Sequence, residues 1–567
     1  MGFDALPVPH GHGASGGGTQ HGYARRRPEE SVLYAVVQTE LETFLARAQA
    51  RERPVPRFVE RELRGFLRCG ILAHGFVRVH CDGCGLDRVV AFSCKGRGFC
   101  PSCGGRRMAD TAAHLVDRVL PEVPVRQWVL SLPFALRYRL AYDAPLTSAV
   151  LAVFVRTVFA SLRRRARTQW GVTRGQCGAV TFVQRFGDAL NLNVHFHSLL
   201  LDGVYAAEHD GALRFHVLPP PDDAEVARVV SQVAKRIARL LERRGLGPAS
   251  GPSEADPLVE DQPLLAQLYG ASVAGRIATG PRAGRRVLRV GDCIDPEDLP
   301  ALAGERCAGA SGVSLHANVA VPARDRRRLE RLCRYVARPP VATERLSRLE
   351  DGRLLYRLKH RWRDGTTHVV FEPQELVEKL AALVPPPRFH LVRYHGILGP
   401  CASERDRVVP GGLEAKPRNR SSTPSASVGL PVGLPVDAQK ADGNGSGIGA
   451  REQIPVPRSE ALAHSAARMI PEFAPLGATA ATPDRSMPRP RRLAWSELLQ
   501  RVFAVDVLAC PRCGERMRLL AVIHPPDATQ AILECLELPA RAPPAARPRP
   551  EDAGAGADWD PAFAADA

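Results

Sequence analysis

Leu190-Asn191-Leu192-Asn193-Val194-His195-Phe196-His197 is the stretch from which the fold is read. At the two-residue period of a strand, Leu190, Leu192, Val194 and Phe196 share one face, and Asn191, Asn193, His195 and His197 share the other. An apolar face of this kind packs on a core, and the opposite face carries polar groups. Two imidazoles two residues apart on a strand point the same way, so both can offer a ring nitrogen to one divalent metal. The competing reading is a half-buried strand whose histidines cap its solvent side, and the rest of the chain has to decide between the two.

The residues just upstream supply a partner strand. Gly178 to Phe186 reads as a strand, Gly187-Asp188-Ala189 as a turn, and Leu190 to Leu201 as the antiparallel return. With a three-residue turn, Thr181 and Arg185 fall on the histidine face, while Val180, Phe182 and Gln184 fall on the core face. A bulge would reverse this and make Gln184 a candidate third metal ligand.

Toward the C-terminus, Asp325 opens a helix through Leu329, Leu332, Cys333, Tyr335 and Val336 that Pro339-Pro340 stops. Tyr335 stands near its end among Arg331, Arg334 and Arg338. A phenol with a pKa near ~10 is a poor nucleophile at neutral pH unless a metal polarises its target and nearby cations favour the phenolate. In isolation a tyrosine packed on the helix's apolar side is the commoner arrangement. Beyond it, Leu354 to Glu372, with Arg357, Lys359, His360, Arg361 and Arg363, reads as a basic hairpin suited to a DNA strand laid across a sheet. His316, in Val313 to Val319, reads as a sheet residue rather than a ligand.

Toward the N-terminus, helices are expected from Val32 to Arg51 and from Arg57 to Cys69, separated by Pro54 and Pro56. Next come Cys81-Asp82-Gly83-Cys84 and, after fifteen residues, Cys100-Pro101-Ser102-Cys103. Two such knuckles predict one tetrahedral zinc held by Cys81, Cys84, Cys100 and Cys103, a site that builds a fold and does no chemistry. Cys94 and His80 stand close enough to substitute, and Cys69 and His74 less so. Lys95, Arg97, Arg106 and Arg107 either meet a DNA backbone or form a solvated basic surface. Near the other end, Cys510-Pro511-Arg512-Cys513 offers two ligands of a second zinc, the rest coming from His524, Cys535 or another segment.

Composition agrees with a polyanionic partner. The 567 residues carry a net charge of +17, and 71 of the 77 cationic side chains are Arg, which forks onto phosphate through two donors. Fourteen cysteines with no secretory leader read as metal ligands or buried thiols in a reducing compartment. The longest apolar run, Ser148 to Leu162, is broken by Arg156 and too short to span a bilayer. A cytoplasmic protein, nucleoid-associated when bound to DNA, is expected.

The order of these parts resembles the transposases of the Insertion Sequence 91 family, within the wider His-hydrophobic-His endonucleases. The resemblance rests on Ser93-Cys94-Lys95-Gly96-Arg97-Gly98-Phe99-Cys100-Pro101-Ser102-Cys103, Gln184-Arg185-Phe186-Gly187, Asn191 to His197, Arg334-Tyr335 and Arg393-Tyr394-His395-Gly396. It implies an α+β chain: an antiparallel-sheet nuclease core flanked by helices, an N-terminal helical and zinc-ribbon domain, and a small C-terminal CxxC unit. With composition marking the segments outside the resemblance, the expected division is a disordered leader over 1–30, a helical and zinc-binding domain over 31–120, a nuclease domain over 121–400, a low-complexity linker over 401–490, the CxxC unit over 491–545 and a disordered tail over 546–567.

The resemblance further implies that His195 and His197 hold a catalytic Mg or Mn, that Tyr335 is the nucleophile, and that Arg334, Arg338, Arg357, Lys359 and Arg361 meet DNA, mainly single-stranded or melted element ends. Some relatives carry a second tyrosine four residues on. Here that place is Pro339, so strand exchange would use a homo-oligomer's second protomer or the freed 3′ hydroxyl. Two other readings remain open: a replication initiator or relaxase with the same chemistry, and a non-catalytic zinc-ribbon regulator.

Overall fold

Apolar alternation in the middle of the chain builds a central antiparallel sheet, and segments on either side of it in sequence, residues 76–91 and 518–523, meet in a smaller one. The computed structural model describes residues 25–247, 256–292, 304–411, 493–503 and 506–549. Most of the expected leader and tail, and the expected linker beyond residue 411, lie outside those residues.

The chain opens with helices α1 (Val32–Ala50) and α2 (Arg57–Arg68), then the hairpin β1 (Phe76–His80) and β2 (Asp87–Ala91), then α3 (Pro101–Arg118). The Ser31 hydroxyl caps α1 by accepting from the Tyr34 amide, and the two prolines predicted to separate the helices do so. Next come β3 (Val125–Ser131), α4 (Phe134–Tyr142), α5 (Ala144–Trp170), β4 (Gly178–Phe186), β5 (Leu192–Leu201), β6 (Gly203–Ala207), β7 (Leu213–Val217) and α6 (Asp223–Glu242).

Helices α7 (Pro257–Asp261) and α8 (Pro263–Val273) precede β8 (Leu288–Gly291), β9 (Cys307–Ala310), β10 (Val313–His316), β11 (Ala320–Val321) and α9 (Arg326–Val336). The run closes with β12 (Leu346–Arg348), β13 (Leu354–Arg357), β14 (Thr366–Phe371), α10 (Pro373–Leu383) and β15 (Val392–Gly396). The C-terminal segment adds α11 (Trp495–Phe503), β16 (Arg518–Ile523) and α12 (Asp527–Cys535).

The central sheet runs β15-β4-β5-β3-β10-β9, with β11 also on β3, and β5 lies in its interior. Both faces are covered. Val183, Val194, Phe196 and Leu200 join the large core that includes Phe154 and Val158 of α5. On the opposite face, Val180, Phe182, Leu199 and Leu201 pack with Leu115 and Val116 of α3 and Leu329, Leu332 and Val336 of α9. Fully burying a Leu, Val or Phe contributes roughly 1.5–3 kcal/mol, so these layers fix the helices on the sheet. Helix α5 is long and apolar enough to cross a membrane by composition, but 67% of its most apolar window is buried within the fold.

The register of β4 on β5 differs from the three-residue-turn expectation. Gln184 pairs with His195 and Phe182 with His197, whereas Phe186 pairs with Leu192, so Asn193 and Val194 together oppose Arg185. This bulge, with Leu190 at φ +57° in the loop, shifts the pairing by an odd number of residues. Phe182 and Gln184 therefore share the histidine face, and Thr181 pairs with Ser198.

Candidate active site and cysteine centres

His195 and His197 project from β5 with ring centroids 4.9 Å apart. Their accessibilities are 9% and 5%. The His195 Nδ1–H donates to the Asn193 carbonyl at 2.8 Å, which leaves its Nε2 lone pair free. Gln127 Nε2 lies 2.6 Å from His197 Nδ1 and donates to it; turning the amide over by 180° would instead let its oxygen accept from an Nδ1–H and leave the ring's Nε2 free for a metal. Burial pushes His195 down to about 4, against the Asn193 bond and aided by Arg338 and Arg137. Burial, with His195, Arg338 and His316 adding to it, holds His197 well below the ordinary histidine range. Both rings are thus neutral near pH 7, the form that ligates metal.

Gln184 is 4% exposed on the same face. Its Nε2 donates to the Val336 carbonyl at 2.7 Å, and its Oε1 is buried without a partner. A buried amide oxygen left unpaired costs about 1–3 kcal/mol, so this atom is one that a ligand would satisfy. Sequence reasoning reached Gln184 only through the unproven bulge. It missed Gln127, whose place is set by β3 pairing beside β5 with Gln127 opposite Leu199.

Tyr335 comes from α9, which Asp325 caps by accepting from the Arg328 amide. The tyrosine ring stands edge-on to His197, with centroids 6.2 Å apart and an interplanar angle of 78°. Arg338 places its guanidinium 4.5 Å from the ring centroid, and Lys359 its ammonium 4.3 Å away. Lys359 arrives there because its backbone N–H donates to Asp188 in the β4–β5 loop at 2.7 Å, and Arg345 pairs with the same carboxylate at 2.9 Å. Arg334 pairs instead with Glu330 at 2.5 Å, and Arg361 with Asp292 at 3.2 Å. Arg357 is exposed on β13. Tyr394 lies on β15 opposite Val180. His316 stands level with His197 across β3, each opposite Val129.

The cysteines gather into two tetrads, each with all ligand atoms within 4.8 Å of one another: Cys69, Cys94, Cys100 and Cys103, and Cys81, Cys84, Cys510 and Cys513. The expected single set of Cys81, Cys84, Cys100 and Cys103 is therefore corrected. The reason is the β1–β2 hairpin. Cys81 and Cys84 sit at its tip and Cys69 and Cys94 flank its base, and five strand residues separate the two levels by roughly 16 Å, too far for one ion.

In the first tetrad, Cys94 and Cys103 sulfurs are 3.4 Å apart, and Cys69 is 3.6 Å from both Cys100 and Cys103. A zinc–sulfur bond of about 2.3 Å places tetrahedral ligands about 3.8 Å apart, so the donor set fits zinc. His80 is turned to Asp87, with Nδ1 3.0 Å from Oδ1, and is in neither group.

Two family models match the chain: "Transposase zinc-binding domain" over residues 36–132 and "Putative transposase" over residues 178–406. The chain belongs to the Insertion Sequence 91 transposase family. No curated protein and no solved structure matches it. The transposase is therefore a DNA-processing enzyme with DNA as its partner and with structural zinc in its N-terminal domain.

Beside the first tetrad, helix α3 of the transposase approaches the exit of the tyrosine helix. A side chain at Gly104, in the first turn of α3, would bring its Cβ within 2.6 Å of Pro339. Only glycine lets α3 approach Pro339-Pro340 so closely.

Proposed function

We propose that this transposase nicks and rejoins single-stranded DNA at element ends through a covalent 5′-phosphotyrosine on Tyr335, driving rolling-circle-like transposition. The observation that carries the reading is the meeting of Tyr335, 6.2 Å from His197, with two neutral imidazoles and the unpaired Gln184 Oε1 on one face of the sheet.

His195 Nε2, His197 Nε2 and Gln184 Oε1 would hold a divalent ion, and the amide oxygen among them suits Mg or Mn. Bound there, the ion would polarise the scissile phosphate and offset its developing charge. Gln127 and the Asn193 carbonyl hold the rings in position. Arg338 and Lys359 clamp the Tyr335 ring and hold it in place. The Tyr335 oxygen attacks phosphorus in line and gives up its proton to water; the Tyr335 O–P bond forms, the P–O3′ bond breaks, and the 3′ oxygen takes a proton from water. The phosphodiester's energy is kept in the adduct, and the reverse attack by a 3′ hydroxyl rejoins the strand.

Single strands fit because a flexible chain can settle its phosphate against a site framed by the basic loop after β13. Incubating the protein with labelled single-stranded DNA and Mn should give a covalent species that Tyr335→Phe abolishes and Tyr394→Phe keeps. The opposite pattern moves the nucleophile to Tyr394. Binding without any adduct leaves a zinc-ribbon DNA binder.

A further inference from the structure

We propose that Cys81, Cys84, Cys510 and Cys513 hold a second structural zinc that closes the two ends of the chain on each other, and that this closure seats α11 against the helix carrying Tyr335. The inference stands apart from the cleavage chemistry, because it rests on the cysteines and on the C-terminal segment.

Two segments more than 420 residues apart adopt the same turn. In Cys81-Asp82-Gly83-Cys84-Gly85, the Cys81 amide donates to Leu86 and the Gly85 amide to Cys81, each at 2.9 Å, with Gly85 at φ +69°. In Cys510-Pro511-Arg512-Cys513-Gly514, the Cys510 amide donates to Glu515 at 2.8 Å and the Gly514 amide to Cys510 at 2.9 Å, with Gly514 at φ +78°. Each turn presents two sulfurs to one side, and the two face each other: Cys81 to Cys513 at 3.4 Å and Cys84 to Cys510 at 3.5 Å. Four thiols converging at these spacings match a closed tetrathiolate zinc site, whereas a redox pair would need only two. All four are free of disulfides.

The surrounding structure shows why a staple is needed. Strand β16 adds to β1, and Arg518 pairs with Asp82 at 2.7 Å. Yet the apolar cluster at this end holds few fully buried residues besides Cys81 and Cys510. A junction with so small a core depends on a cross-link or metal. From the junction the C-terminal segment reaches α11, where Arg501 pairs with Glu330 of α9 at 2.8 Å and also grips Asp117 of α3. Glu330 lies five residues before Tyr335 on the same helix.

The test is zinc content of the purified full-length chain by plasma mass spectrometry. Two zinc ions per chain are expected, falling to one in Cys510→Ser/Cys513→Ser and to one in Cys81→Ser/Cys84→Ser. In both variants amide exchange of Arg518–Ile523 should rise. A wild type with one zinc, or a Cys510→Ser/Cys513→Ser variant that keeps two, overturns the proposal. Should both variants misfold, the unmodified protein decides: Cys513 is exposed, so it should resist alkylation until a chelator is added. Prompt labelling of Cys513 itself in the untreated protein, read by peptide mapping with the exposed Cys401 and Cys535 as reactive controls, overturns the site. None of these readouts requires DNA cleavage, so failure of the nicking reaction leaves them interpretable.

Discussion

At the residue scale the candidate active site is decided by partners that carry no motif. Gln127 was invisible in the sequence because an isolated glutamine on a strand has no spacing signal; only the pairing of β3 with β5 brings it within 2.6 Å of His197. If it orients that ring, Gln127→Leu should weaken Mn binding by about 10–100-fold, as removing a group that orients a metal ligand does, while leaving the fold intact. Calorimetric titration of Mn reads the change, and an unaltered affinity would show that His197 is held by packing alone. The clamp on Tyr335 is open to a comparable test. Each cation–π contact contributes roughly 0.5–2 kcal/mol, so Lys359→Met should slow adduct formation by about 2–30-fold without lowering zinc content. Single-turnover kinetics with saturating DNA separates this from lost affinity.

At the element scale, strands and helices were legible and their register was not. The positions of β3, β4, β5, α1 and α9 follow from two-residue alternation, an Asp or Ser cap and proline stops, all local signals. The bulge opposite Arg185 is accompanied by Leu190 at φ +57°, a conformation a leucine rarely takes, so nothing local announces either. The cysteine grouping failed for a related reason: matching two adjacent CxxC pairs by spacing ignored the strands between them. The even bracketing of the hairpin by Cys69 and Cys94 was the usable signal. Sheet integrity gives a prediction here. Arg126 of β3 pairs with Asp202, just beyond β5, at 2.7 Å in a site where both are buried. Asp202→Ala leaves an uncompensated buried guanidinium and should lower stability by about 3–5 kcal/mol in urea unfolding. Replacing both residues with apolar side chains should recover most of that loss.

At the scale of the whole molecule, a net charge of +17 makes DNA affinity an electrostatic matter, but the arginines are not equally available for it. Arg334 is committed to Glu330, within the group that Arg501 completes, and Arg361 faces Asp292, whereas Arg357 and Lys359 are exposed, Lys359 against the tyrosine ring. The loop that carries Lys359 is tied to the β4–β5 turn through Asp188, which joins the basic hairpin to the turn that leads into the histidine strand. Each phosphate neutralised on a single strand contributes about 0.7 to the slope of log affinity against log salt. Replacing Arg357, Lys359 and Arg361 together by alanine should therefore flatten that slope by about 1.4 if Asp292 keeps Arg361 from DNA, and by about 2.1 if DNA displaces Asp292. Fluorescence anisotropy with a labelled single strand across a salt series distinguishes the two. A slope unchanged by the triple substitution would move the DNA path off this hairpin altogether, and with it the approach of the phosphate to Tyr335 from the β13 side.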